Sequence, residues 1–180
     1  WASIPCTIGL HQGKWYWEYY LERIGNWNQT GIISAQEAND ISSVHIGNEP
    51  QGYSLNTGGG DIYNNGSSSG GAWFGSARTQ GQTIGVALDL TNNKLYFATD
   101  GVWGNSSDPV AGTNGYSISS SYLPYLPAVG SNDCDVRMNF GNPSMTISSS
   151  NADDAGYGSF EYDVPAGYYS ICTKILATYG

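Results

Sequence analysis

The segment GQTIGVALDLTNNKLYFATDGVW, Gly81 to Trp103, constrains the fold of this chain more than any other stretch. Ile84, Val86, Leu88 and Leu90 alternate with Thr83, Gly85, Ala87 and Asp89. Period-two alternation is the pattern of a strand with one face turned to a core. TNN supplies a turn, Leu95 and Phe97 resume the inward face, and Asp100–Gly101 makes the next tight turn. The segment therefore predicts a β-hairpin followed by the loop VWGNSSDPVAGTNG. Read this way the hairpin is scaffold, and any local function belongs to the loops at its ends.

The same alternation governs KWYWEYYLE, Lys14 to Glu22, with Trp15, Trp17, Tyr19 and Leu21 on one face and Tyr16, Glu18, Tyr20 and Glu22 on the other. This predicts a half-buried strand, with GNWNQ as the following turn and TGIISAQ as the next strand. A short helical turn is expected near Ala38–Val44. Beyond it come short strands at GYSLN and Asp61–Asn64, each followed by a Gly- or Ser-rich surface loop. LPYLPAVG, DVRMNFG and GYYSICTKIL complete the strands. No sustained helical period and no internal repeat appears, so the expectation is an all-β antiparallel sandwich or barrel. The Gly, Tyr and Trp counts (25, 14 and 6) agree with a chain of strands and tight turns.

Charge excludes some functions. Residues Asp, Glu, Lys and Arg make up 12% of the chain, against about 25% in typical domains. The formal net charge is -9 with only six Lys and Arg. That number cannot build the basic face of a nucleic-acid binder, and it disfavours an anionic membrane surface. No run approaches the ~20 apolar residues of a spanning helix. The 180 residues are one domain's worth, and the opening WASIPCTIGL, without an initiator Met, is expected to be a piece of a longer protein. Cys6, Cys134 and Cys172 are too few for a disulfide framework and are expected as free thiols; a Cys6–Cys172 bridge would require the first and last strands to be neighbours.

Catalytic and metal patterns are weak. Glu18 and Glu22 share a strand face but stand about 13 Å apart at roughly 3.3 Å per residue. A retaining glycosidase needs about 5 Å, so this pair does not fit. Asp89, Asp100, Asp108, Asp133 and Asp135 lie near turns without a DxDxDG loop, where carboxylates more often accept turn N–H groups than bind calcium. No nucleophile elbow is assigned, and neither His11 nor His45 has an obvious acidic partner. GGGDIYNNG lacks the Lys and helix of a phosphate loop. No catalytic residue, no metal ligand and no cofactor is assigned. Asn28 in NQT and Asn105 in NSS match the glycosylation triplet, which recurs by chance.

GKWYWEYYLE, GYSLN, GQTIGVALDLTNNKLYFATDGVW and YLPAVGSNDCDVRMNFG, in this order and at these spacings, resemble a SPRY domain over roughly Gly13 to Cys172. Within that family, GKWYWE, NNKLYFATDGVWGNSSDP and AGYYSICTKIL are most similar to the SPRY modules of bacteriophage structural proteins. The resemblance implies a single domain over residues 1–180 with the bent antiparallel sandwich of the concanavalin-like jelly roll, loops that bind partners, and no enzymatic activity. The loops between Gly58 and Gly71 are longer and richer in Gly and Ser than in cellular members, so the partner-binding residues of those members are not transferred. The aromatics of the loops, set among Asn, Ser and Gly, have the composition of a recognition surface. Trp27, Asn28, Tyr53, Tyr63, Trp103 and Asn105 are the expected ligand-binding residues. The leading expectation is a non-enzymatic module of a phage virion protein, in capsid decoration or a tail fibre. It would recognise a protein within the particle or a host surface receptor or glycan. It would be assembled in the host cytoplasm and be compatible with homo-oligomerisation. The alternatives are a lectin-like carbohydrate-binding module and a cellular SPRY protein–protein adaptor.

Overall fold

The computed structural model of the chain describes residues 2–25, 27–38, 45–68 and 73–180. It is almost entirely antiparallel β-structure in two sheets. The chain divides into two compact units, each assembled from three segments. One comprises Trp1–His11, Glu22–Gln80 and Ser119–Val136, and the other Gln12–Leu21, Gly81–Ile118 and Arg137–Gly180. The expected helical turn near Ala38–Val44 falls outside the described residues, apart from Ala38 itself.

The first unit carries a six-stranded sheet. Its strands are β1 (Ala2–Pro5), β3 (Trp27–Ser34), β4 (Gly52–Asn56), β5 (Asp61–Asn64), β6 (Ser67–Ser68) and β11 (Tyr125–Asn132), in the order β1-β11-β3-β4-β5-β6. The short strands at GYSLN and Asp61–Asn64 lie where their sequences place them. Two differences stand out. β1 was not expected, and β3 starts at Trp27, inside the segment read as a turn. Pairing explains the second difference: Trp27 is directly opposite Asn132 and Asn28 opposite Ser131, so the β11 partner extends the strand beyond its apolar run. Ile33, Ile46, Leu126 and Ala128 form a buried cluster on one face of this sheet, with Ala35 and Ala38 packed against it. Ile32, Leu55 and Tyr125 are buried on the other.

The seven-stranded sheet belongs to the second unit except for Glu22–Arg23 and Asp135–Val136, the strand ends that fall within the first. β2 (Lys14–Arg23), β7 (Thr83–Asp89), β8 (Lys94–Thr99), β10 (Tyr116–Ser117) and β12 (Asp135–Asn139) follow the order β10-β8-β7-β2-β12, with β9 (Val102–Trp103) on β8 and β13 (Tyr169–Ser170) on β2. The hairpin is as expected: Asp89 pairs with Lys94 across the TNN turn, and Thr99 pairs with Val102 across Asp100–Gly101. Both of those turn residues have positive φ, 48° and 78°, as a two-residue turn of this hand requires.

The one-face-buried expectation is corrected here. Every residue of β7 is buried, and so are Trp15, Tyr16, Trp17, Glu18 and Tyr19 of β2. The second face is covered by the long segment after β12, whose Phe160 and Tyr168 pack with Tyr16, Ala87 and Tyr96. Asp153 ties that segment down, its Oδ1 accepting from the Ala155 and Tyr157 N–H and its Oδ2 from the N–H and hydroxyl of Ser170. The ending is also corrected: GYYSICTKIL is a two-residue strand followed by α1 (Thr173–Tyr179), a seven-residue helix that presents one buried side chain, Ile175. All three cysteines are free thiols, and burial pushes the Cys6 thiol up to about 11.

Candidate functional site

Alternation along β3 places Trp27, Gln29, Gly31 and Ile33 on one face of the six-stranded sheet. Register then carries that face across the neighbouring strands. Gln29 lies opposite Gly130 on β11 and Asn56 on β4, and Gly31 lies in the row of Ser54 and Tyr63. Ile46 joins the apolar cluster at the Ile33 end of this face, and His45 directly precedes it in the chain. Among the described residues, the Trp27 end forms a concavity. There Trp27, Gln29, His45, Tyr63 and Asn132 line a hollow of about 280 Å³.

The walls are aromatic and the floor is amide. His45 meets Tyr63 edge to face, with ring centroids 5.1 Å apart at 77°. The Trp27 side chain is one of the few large apolar groups left open to solvent, at 47% exposure. Gln29 is 2% exposed, yet its Oε1 has no hydrogen-bond partner among the described residues. The register contributes to this: its cross-strand neighbour on β11 is Gly130, which has no side chain to offer a donor. A buried acceptor left unmade costs roughly 1–3 kcal/mol.

Of the six residues expected to bind ligand, the hollow brings together Trp27 and Tyr63. The other four are placed differently. Asn28 is a strand residue, 0% exposed, on the opposite face from Trp27; its backbone carbonyl accepts from the N–H and hydroxyl of Thr57. Tyr53 is a buried residue of β4 instead of a loop aromatic, edge to face with Tyr125, its hydroxyl accepting from the Ser119 N–H. Trp103 is half-buried against the Tyr16–Phe160 cluster in the second unit, where it serves packing. Asn105 adopts φ 54° in a 3-10 turn after β9 and donates its amide to the Asn114 carbonyl, closing its own loop. Gln29, His45 and Asn132 were missed by sequence reasoning. The spacing of Trp27 and Gln29 by two was the available signal for one of them; the pairing of β11 with β3 was not readable.

The second unit has another concavity, of about 280 Å³, lined by Glu18, Tyr20, Ser148, Glu161 and Tyr162 among others. Its carboxylates are structural in their bonding. Glu18 accepts from Tyr16 Oη, Asn139 Nδ2 and the backbone N–H of Glu161 and Tyr162, four donors for four lone-pair positions. Burial outweighs these donors and raises its pKa. Glu161 is held down by the N–H and hydroxyl of Ser148. The aspartates near turns act as anchors too. Asp89 accepts from the Thr91 and Asn92 N–H, Asp100 from Thr83, and Asp108 from Val110 and Ala111, while Asp133 and Asp135 pair with Arg23. No group of three or more His, Cys, Asp or Glu suited to a metal occurs among the described residues. No helix there is long and apolar enough to cross a membrane.

No protein-family model and no curated protein matches the chain.

Proposed function

We propose that this chain is a non-enzymatic recognition module, a β-sandwich of the SPRY type belonging to a phage virion protein, and that it binds its ligand in the Trp27 hollow. The resemblance of GKWYWEYYLE, the Gly81–Trp103 hairpin and YLPAVGSNDCDVRMNFG supports the family reading. Two largely antiparallel sheets with the expected hairpin are in keeping with it. The observation that carries the recognition reading is the convergence of Trp27, Gln29, His45, Tyr63 and Asn132 on one open concavity. Exposed aromatic walls with a few convergent polar groups are the usual composition of a ligand site. A binding role, and not turnover, is favoured because the described residues that line the hollow are aromatic and amide groups, while the Glu18 and Glu161 carboxylates are occupied in holding backbone N–H groups. The location on a particle, as capsid decoration or in a tail fibre, follows only from the resemblance.

The test is binding of the chain, displayed multivalently on beads, to arrayed bacterial surface polysaccharides, oligosaccharides and peptides. Wild-type protein is expected to retain a defined subset, Trp27→Ala and Tyr63→Ala are expected to lose it by tenfold or more with unchanged melting curves, and no probe is expected to be cleaved. Binding that both variants keep in full, or release of hydrolysed fragments, overturns the reading.

A further inference from the structure

We infer that the ligand of the Trp27 hollow is an uncharged carbohydrate unit, a neutral hexose or N-acetylhexosamine, which lies with its C–H face on the indole and places a hydroxyl against the Gln29 amide. This rests on the hollow being the recognition site, and it adds the ligand class.

Four features of the site select that class. The first is the buried Gln29 Oε1, which lacks a donor among the described residues. Such a group is satisfied by a ligand that brings an O–H or N–H, and is penalised by one that brings only apolar atoms or further acceptors. A sugar hydroxyl is both donor and acceptor, so it suits a side-chain amide in either orientation.

The second is charge. Among the described residues, the lining groups Trp27, Gln29, His45, Tyr63 and Asn132 include no carboxylate, ammonium or guanidinium. An anionic or cationic ligand would surrender hydration there without meeting a fixed counter-charge. The third is shape. Trp27 presents open indole, and the His45–Tyr63 pair stands edge to face as a second aromatic wall. A pyranose has a flat C–H face and a polar rim, which matches aromatic wall and amide floor.

The fourth is what the backbone withholds. Peptide recognition by strand addition needs an unpaired sheet edge. β3 is an interior strand, with Trp27 and Gln29 paired to β11 and Gln29 also to β4. The hollow sits on the face of the sheet, and at about 280 Å³ it falls just below the usual range of roughly 300–1,000 Å³, room for one ring and not for a run of peptide.

The experiment is an array carrying oligosaccharides ending in glucose, galactose, mannose, N-acetylglucosamine or N-acetylgalactosamine, with sialylated, sulfated and uronic-acid glycans and a peptide library on the same surface. It is probed with the multivalent wild-type chain, Trp27→Ala and Gln29→Leu. Wild type is expected to select neutral termini, with both variants weakened at least tenfold. Gln29→Leu is also expected to melt at or above the wild-type temperature, because it deletes an unmade buried acceptor; a Gln29 that served the fold would melt lower. Monodeoxy versions of the best sugar should include one that binds wild type weakly and loses nothing further in Gln29→Leu. Trp27-dependent binding confined to charged glycans or to peptides overturns the sugar assignment and leaves the recognition role standing. An absence of Trp27-dependent binding anywhere on the array overturns both.

Discussion

At the scale of single residues, Glu18 shows how a feature that invites a chemical reading is claimed by structure. The sequence offers it as half of a carboxylate pair on a strand face. In the fold it is fully buried and holds together elements far apart in the chain: Asn139 of β12 and the backbone of Glu161 and Tyr162. Replacing it by glutamine turns one acceptor into a donor that faces N–H groups. Glu18→Gln is therefore expected to lower stability by about 1–3 kcal/mol, measured by urea unfolding, with amide exchange accelerated first around Glu161 and Tyr162. A variant as stable as wild type would mean that the four donors find other partners. Trp27 shows the converse. Its polar neighbours correctly mark it as exposed, but only the register with Asn132 gives it company.

At the scale of elements, the hairpin was the most legible part of the chain, because local turn chemistry and strand alternation fix it without help from distant residues. What could not be read was that both of its faces are covered. The segment that buries Tyr16 and Ala87 lies some seventy residues later and has no strong period of its own. The hollow was legible only in part for the same reason. Trp27 and Tyr63 announce themselves by residue type, whereas Gln29, His45 and Asn132 are ordinary polar residues until the sheet aligns them. Alignment here depends on close backbone approach. A Cβ at Gly31 would lie 2.0 Å from the Tyr53 carbonyl oxygen and 2.7 Å from the Ser54 Cα, both backbone atoms that cannot step aside within a paired ladder. Gly31→Ala is expected to separate β3 from β4 and cost at least about 3 kcal/mol, seen as a melting transition well below wild type, with ligand retention in the hollow lost in parallel. Gly81→Ala, where a Cβ meets nothing but φ is +88°, is expected to cost less, about 1 kcal/mol.

At the scale of the whole molecule, a net charge of -9 makes the acid limb of stability informative. Burial alone would raise the pKa of Asp89, but the Asn92 donors and Lys14, whose Nζ lies 3.0 Å from Oδ2, outweigh it and hold the carboxyl below its ordinary value. Its contribution to stability is thus present above the ordinary carboxylate range and vanishes as pH falls through the lower folded-state value. Asp135, held down by Arg23, and Glu161, held down by Ser148, act with the same sign at exposed positions where solvent screening makes them weak. Glu18 acts with the opposite sign, its contribution present below the ordinary range and lost as pH rises through its raised value. Unfolding free energy is expected to fall as pH drops below the ordinary carboxylate range, and Asp89→Asn is expected to flatten that limb while lowering stability by about 1–3 kcal/mol at pH 7. An acid limb as steep in the variant as in wild type would place the responsible carboxylates elsewhere.

The sequence by itself determined the β class, the positions of the hairpin and most strands, the turns at Asp100–Gly101 and Thr91–Asn93, and the exclusion of a basic binding face. These depend on interactions within ten or so residues, or on composition. Tertiary structure decided which aromatics became core and which stayed open, gave the chain an N-terminal strand and a C-terminal helix, and built the hollow from β3, β5, the end of β11 and the loop that holds His45. Those outcomes depend on strand register between segments as much as a hundred residues apart, and a one-residue slip would send each side chain of the site to the opposite face.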